Sequence, residues 1–309
     1  MTYALVFPGQ GTQHGAMLPW LSRCEESAPL LQSLDEMLGA DWRVRVDDAA
    51  WATRNAVAQP LVTGVSLAAW AALAPHLGPP AFVAGYSVGE LAAWGAAGLF
   101  DARTALAAAA ARAAFMDEAG GTGEAAMLSV AGVPIDELQG FALQHRLHVA
   151  IRIDVGQAVL GGAAQDVDAA TPLLQERGAR LQRLGVRIAS HTPAMQGAAQ
   201  AFARWLEARP TPASATCGVI CGIDGGARRD APSLRAALAR QIDHPVRWDL
   251  CMQALQERRV RCVLEVGPGR SLTRLWSTRN AHIPARSVDD FQTREAVLEW
   301  VRRMVDAAD

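Results

Sequence analysis

Short apolar runs that end at glycine punctuate this chain, and stretches with helical spacing fill the intervals between them. "YALVFPGQG" begins at residue 3, "AFVAG" spans 81–85 and "VRCVLEVGPG" spans 260–269. Brief apolar strands that stop at a glycine loop are typical of buried parallel strands whose C-terminal ends carry functional loops. Helices are expected over 61–77, 88–97, 102–119, 193–208, 233–241 and 248–257. Strands alternating with helices predict an α/β fold with a mostly parallel sheet.

The middle of the chain has another rhythm. Residues 124–133, 146–154, 156–163 and 179–187 read as strands, and 134–144 and 164–177 as helices. The order βαββαβ is that of a ferredoxin-like unit. The expected division is therefore a large α/β domain from 1–123 and 188–309, interrupted by a small domain at 124–187.

Composition narrows the chemistry. The 309 residues carry 29 basic and 31 acidic side chains, net −2, which favours neither nucleic acid nor an anionic membrane as the main partner. Every basic residue is arginine, so a Schiff-base lysine and a P-loop lysine are excluded. Cys24, Cys217, Cys221, Cys251 and Cys262 are odd in number and form no C-x-x-C pair, so packed thiols are expected rather than disulfides or a zinc site. The N-terminus lacks a basic stretch and reaches Pro8 at once, unlike a signal peptide. No membrane span is expected, and the cytoplasm is the expected compartment.

"GYSVG" (85–89) follows an apolar strand and precedes the helical "ELAAWGAAG". G-x-S-x-G in that context is a nucleophile elbow, with Ser87 on a sharp strand-to-helix turn and the Val88 N–H aimed at a developing oxyanion. The alternative is an ordinary tight turn. A serine nucleophile needs a base. Among seven histidines, His191 in "ASHTPAM" stands in a loop before a helix, whereas His145 and His148 read as surface residues of the small domain. Arg112 lies nine residues after Arg103 on an alanine-rich helix, so the two point to opposite sides.

Six segments in order, "FPGQGTQ" (7–13), "GYSVGE" (85–90), "RAAFMDEA" (112–119), "SHTPAM" (190–195), "RQIDHPVRW" (240–248) and "EVGPG" (265–269), resemble the malonyl-CoA:acyl carrier protein transacylase family across almost the whole chain. The resemblance implies a hydrolase-like α/β domain with a ferredoxin-like insert. It implies that Ser87 accepts the acyl group and His191 is its general base. It places Gln241 where the family orients that histidine through a backbone carbonyl. Gln10 and Val88 would supply oxyanion N–H groups, and Arg112, with Met116 nearby, would hold the malonyl carboxylate. The substrate implied is malonyl-CoA, the partner an acyl carrier protein, and no permanently bound cofactor or metal is expected.

Two positions depart from that pattern: Tyr86 replaces the usual histidine before the serine, and "IDVGQ" (153–157) puts Ile153 where asparagine is common. These departures narrow the choice: "GYSVGELAAWGAAGL" (85–99) and the segment 284–301 most resemble the malonate decarboxylase epsilon subunit, whose carrier bears a dephospho-CoA-derived arm. The fatty-acid-synthesis transacylase is the alternative within the family. Outside it stand a patatin-like Ser-Asp hydrolase using Asp224 and a non-catalytic carrier scaffold. "EVGPGR" lacks both G-x-G-x-x-G and lysine and reads as a strand-to-helix turn near the cleft. Arginines 228, 229, 235, 240, 258, 259 and 261 read as solvated helix surface or as a docking face for an acidic carrier.

Overall fold

The computed structural model describes residues 2–121 and 124–306. Eleven strands form two sheets: β1 (Tyr3–Phe7), β2 (Phe82–Gly85), β3 (Ala125–Ala131), β4 (His148–Asp154), β5 (Gln157–Ala163), β6 (Arg180–Arg183), β7 (Ser214–Ile220), β8 (Ala227–Asp230), β9 (Val246–Arg247), β10 (Cys262–Glu265) and β11 (Ala285–Ser287).

The larger sheet has the order β11–β10–β1–β2–β7–β8. Its first five strands run parallel, and β8 returns antiparallel at the edge. Every residue of β1 and β10 is buried, because helices cover both faces, which is why these strands do not alternate with polar positions; the one charged residue, Glu265 at the end of β10, is satisfied by helix N–H groups. The β1–β2 register sets Val6 beside Ala84 and Phe7 beside Gly85. The loops that leave the two strands, 8–13 and 86–88, therefore emerge side by side.

The smaller sheet has the order β6–β3–β5–β4–β9. Its first four strands are antiparallel and make the ferredoxin-like pattern, with helices Ile135–Gln144 and Ala164–Glu176 packed over one face through Leu128, Phe141, Leu160 and Val167. The opposite face, with Met127, Ile151 and Ile153, shares a core with Val6, Ala84 and Trp248 of the larger unit. β9 joins β4 in parallel, so residues beyond 188 complete this sheet.

Several elements differ from the expected bounds. The strand read over 179–187 is only Arg180–Arg183. β6 pairs with β3 alone, and its ladder gives out after the Leu184 N–H bonds to Met127 O, leaving the following residues as a loop beneath the cleft. The helix read over 61–77 begins at Asn55, and that read over 193–208 is a 3₁₀ turn, Pro193–Met195, followed by Gln196–Glu207. Helices Ala28–Leu38 and Arg294–Asp306 are additional to those expected, and the helix implied after the turn at 265–270 is Ser271–Arg279.

Helix Asn55–Leu77 is long and apolar enough to cross a membrane, with a mean hydropathy of 1.5, but 89% of its apolar window is buried inside the protein. It is apolar all round because its neighbours cover it all round.

A single backbone crossing governs the cleft. A Cβ on Gly85 would collide with the backbone of Gly89 and Glu90, and one on Gly89 with the carbonyls of Phe7 and Pro8. The obstructing atoms are main chain and cannot rotate away. Gly89→Ala is therefore expected to destabilise the protein by about 3 kcal/mol or more; thermal denaturation would check this, an unchanged melting temperature being the contrary result.

Candidate active site

Ser87 sits between β2 and helix Gly89–Ala96 with φ 56°, in the left-handed region that non-glycine residues seldom occupy. Strain of this kind persists only where the surroundings impose it. Here the Tyr86 N–H donates to Phe7 O at 2.9 Å and the Glu90 N–H to Ser87 O at 3.1 Å, which holds the turn from both ends. The Ser87 hydroxyl consequently stands clear of the sheet and donates to Nε2 of His191 at 2.8 Å.

His191 is buried and is itself in the left-handed region, φ 62°. Its Nδ1–H donates to the carbonyl of Gln241 at 2.6 Å, and its backbone N–H to Ile242 O at 2.9 Å. Burial first, then the charge of Arg112, pushes the imidazole down to about 3, while the Gln241 carbonyl opposes the shift. The ring is therefore neutral near pH 7, with its proton on Nδ1 and a free pair on Nε2 facing the hydroxyl.

Across the cleft, the loop after β1 is tied down side chain by side chain. Thr12 Oγ1 donates to Gly9 O at 2.9 Å, and Gln10 Nε2 donates to Asn55 Oδ1 at 3.3 Å. Asn55 in turn donates to Asp117 at 2.6 Å. Among the described residues, neither the Gln10 nor the Val88 backbone N–H has an acceptor. Val88 precedes the helix N-terminus, where the dipole adds positive potential. Residues 266–269 pack against this loop: a Cβ on Gly267 would meet Pro8. "EVGPGR" is thus a strand-to-helix turn beside the cleft, with Glu265 accepting from the Leu272 and Thr273 N–H groups.

Arg112 is 1% exposed, on helix Ala102–Gly120, while Arg103 on the opposite side is exposed. Its Nη1 donates to Gln59 Oε1 at 2.7 Å; its Nη2 is buried without a partner among the described residues. Burial lowers its affinity for the proton to about 10, leaving it cationic near neutrality. Gln59 also reaches Met116 Sδ at 3.6 Å. An unsatisfied buried guanidinium N–H is costly and marks a place for an anionic group.

Gln10, Ser87, Arg112, Met116 and His191 line one cavity of about 250 Å³, closed on the small-sheet side by Met127, Ile151 and residues 182–186. Thr53 and Gly185 also line an adjacent cleft of about 780 Å³ carrying Arg45, Arg54 and Arg187. Tyr86 also lines the inner cavity, its ring edge-on to Trp248 at 5.4 Å. Ile153 does not line it and is buried in the core between the two sheets.

Sequence reasoning placed the pieces of this site but missed Gln59, Asn55 and Glu90. Gln59 had a signal, a lone amide inside the apolar run that starts at residue 56. Asp224 does not approach the serine as a dyad acid would: it pairs with Arg228 at 2.5 Å and accepts from the Gly226 N–H at 2.8 Å. The seven arginines do not form one free face. Arg228 is in that pair, Arg235 is bonded to Arg209 O and Thr211, and Arg258 to Ala254 O. The five cysteines are free and buried.

The arrangement holds a hydroxyl, a neutral base on it, two open N–H donors and a buried cation around one small cavity, which suits acyl transfer of a substrate bearing a carboxylate. The buried imidazole also has a linkage consequence. With its folded value near 3 and an unfolded value near 6.5, the unfolded chain binds the extra proton between them, so the stability His191 permits is present above pH 6.5 and is lost as pH falls. At pH 5 that loss is about 2 kcal/mol. The melting temperature of His191→Gln relative to the parent should accordingly be more favourable at pH 5 than at pH 8; a difference independent of pH would contradict the burial of a neutral ring.

Residues 4–303 match the family described as the acyl transferase domain. A malonyl CoA-acyl carrier protein transacylase of Mycobacterium tuberculosis is 34% identical over 298 residues, covering 92% of this chain and 95% of that protein. One from Haemophilus influenzae is 30% identical, covering 97% and 99%. The crystal structure of an acyl-carrier-protein S-malonyltransferase from Burkholderia pseudomallei superposes with TM-score 0.89 at 27% identity over 97% of this chain and all of that one. A malonyl-transacylase solved in complex with its type II PKS acyl-carrier protein also superposes with TM-score 0.89, at 28% identity over 97% of this chain and 99% of that one. With relatives and architecture agreeing over nearly its full length, this chain belongs to the acyl transferase domain family, in the group of malonyl CoA-acyl carrier protein transacylases.

Proposed function

We propose that this protein transfers a malonyl group from malonyl-CoA to the thiol of an acyl carrier protein through an ester on Ser87. The observation that carries the reading is the chain of contacts Ser87–His191–Gln241 facing a buried arginine with an unpartnered N–H. In the first half-reaction His191 Nε2 takes the hydroxyl proton as Ser87 Oγ bonds to the thioester carbon. The negative charge on the carbonyl oxygen is received by the Gln10 and Val88 N–H groups. Collapse breaks the carbon–sulfur bond, and His191 returns the proton to the departing CoA sulfur. The carrier thiol then repeats the sequence in reverse, giving ping-pong exchange. One oxyanion donor of this kind contributes about 100- to 1000-fold in rate.

Arg112 has a second effect within this reading. Its charge is one of the two causes that weaken His191 as a base. A malonyl carboxylate paired on Arg112 offsets that charge, so the base strengthens when the correct substrate is seated. Acetyl-CoA offers no such compensation.

The names of the relatives favour the carrier of fatty-acid-type synthesis as acceptor over the malonate decarboxylase carrier. The segments 85–99 and 284–301, with the departures at Tyr86 and Ile153, are the observations on the side of the decarboxylase carrier, and parallel assays with carriers bearing each arm separate the two. The division into a domain of 1–123 with 188–309 and an insert of 124–187, and a cytoplasmic location, belong to the same reading.

Incubation with malonyl-CoA should add about one malonyl group by intact mass, and Ser87→Ala should remove the adduct; an adduct that survives the substitution overturns the reading. Breaking a buried ion pair costs about 3–5 kcal/mol. Arg112→Ala should thus lower the malonyl-to-acetyl ratio of kcat/KM by hundreds- to thousands-fold, and an unchanged ratio would remove Arg112 from the site.

A further inference from the structure

Glu90 is the one carboxylate on the elbow helix, it is fully buried, and the mechanism above does not use it. Its Oε2 accepts from the Gly222 N–H at 3.1 Å and from Nε2 of Gln241. Gln241 is the residue whose carbonyl holds the His191 Nδ1–H. The carboxylate therefore grips the side chain of the residue whose backbone orients the base, and it does so from the helix that begins beside Ser87. The other oxygen, Oε1, has no partner among the described residues.

The room for this contact is made by a glycine. A Cβ on Gly222 would lie 2.7 Å from Gln241 Nε2 and 2.9 Å from Glu90 Oε2. The conformation of Gln241 is thus set by two groups distant in sequence, an acid at 90 and a bare backbone at 222. Without the acid, the Gln241 amide would be a buried donor with no acceptor, at a cost large enough to turn the residue and move its carbonyl.

Charge points the same way. When His191 takes the serine proton it becomes a cation in a buried site that already contains Arg112. The ionisable groups facing Glu90 are Arg112 from helix Ala102–Gly120, Cys221 and Asp224 from the segment after β7, and Cys251 from helix Trp248–Glu257. The two thiols are held in their neutral form by burial, and Asp224 is paired with Arg228. Glu90 is left as the buried anion on the Gln241 side of the ring.

We propose that Glu90 is a positioning residue for the transfer reaction: through Gln241 it fixes the orientation of His191, and its negative charge offsets the imidazolium formed during each half-reaction. The assignment rests on the transacylase reading of Ser87 and His191. It makes the Gln241 backbone carbonyl one half of a split triad acid, the dipole in contact with the ring and the full charge one residue behind it.

Burial pushes the Glu90 carboxyl up to about 7, against the Gly222 and Gln241 hydrogen bonds and the Arg112 charge. Its charge is present above that value and lost below it. The parent enzyme should therefore lose kcat as pH falls through about 7, in a step that His191, neutral down to about 3, does not produce.

The experiment is a pH profile of malonyl transfer for the parent, Glu90→Gln and Gly222→Ala, each checked for folding by thermal denaturation. Glu90→Gln keeps the shape and removes the charge. Its kcat should fall about 10- to 100-fold, with KM for malonyl-CoA changing much less because the Arg112–Gln59 contact and the cavity lining are kept, and the step near pH 7 should vanish. Gly222→Ala keeps the carboxylate and displaces Gln241, so kcat should fall while the step remains. A Glu90→Gln enzyme with the parent's kcat and pH step overturns the proposal. So does a folded Gly222→Ala enzyme with unchanged kcat, which decides the matter alone if Glu90→Gln does not fold. Absence of a malonyl ester on the parent would sink the transacylase reading itself, a result distinct from either.

Discussion

A neutral imidazole locked between a hydroxyl and a backbone carbonyl is the interaction on which the rest of this structure depends. His191 meets Ser87 on one nitrogen, where the cavity opens, and Gln241 O on the other, where the contact is buried. Each neighbour answers a requirement of that ring. The left-handed turn at 87 brings the hydroxyl up to Nε2, and the left-handed backbone at 191 turns the ring toward it. The end of helix Ala231–Arg240 delivers the carbonyl. Among the described residues no strong anion contacts Nδ1, which is compatible with a thioester substrate because thioesters need less assistance than amides.

The electrostatics of the cleft are a balance among three buried groups. Arg112 is held cationic where burial disfavours it, His191 is held neutral by burial and by Arg112, and Glu90 is raised by burial and drawn down by its hydrogen bonds. Low dielectric makes Arg112 felt by both of the others, lowering His191 and drawing down Glu90. On the proposed reaction, a substrate carboxylate beside Arg112 would offset the charge that weakens His191, so selectivity for a charged acyl group and activation of the base would share one cause.

The two sheets divide the work. The larger sheet supplies the catalytic loops, since its parallel strands end on the same side and the β1–β2 register sets residues 8–13 next to 86–88. The smaller sheet supplies a wall, with Met127 and Ile151 across the cavity from the serine. Their shared core, including Trp248 and Ile153, fixes the width of the cleft. Tyr86 packs against Trp248 in that seam, so the residue that replaces the expected histidine is part of the joint as well as part of the cavity.

Much of this was legible in the chain alone, because it is written in local patterns. Apolar runs ending at glycine marked β1, β2 and β10, and the βαββαβ rhythm marked the small sheet. G-x-S-x-G in a strand–helix context located the elbow, and nine-residue spacing set Arg112 and Arg103 on opposite sides of their helix, though not which of them faces inward. What could not be read were relations between distant segments. Only the folded chain set Glu90 against Gln241, 151 residues away, and Gln59 against Arg112, 53 residues away. Only there did Asp224 take Arg228 as its partner, and only there did β6 run out of a neighbour to pair with. Periodicity and turn chemistry act over a few residues and survive in the sequence. Burial, and with it every perturbed charge in this site, exists only once the sheets have closed over the cleft.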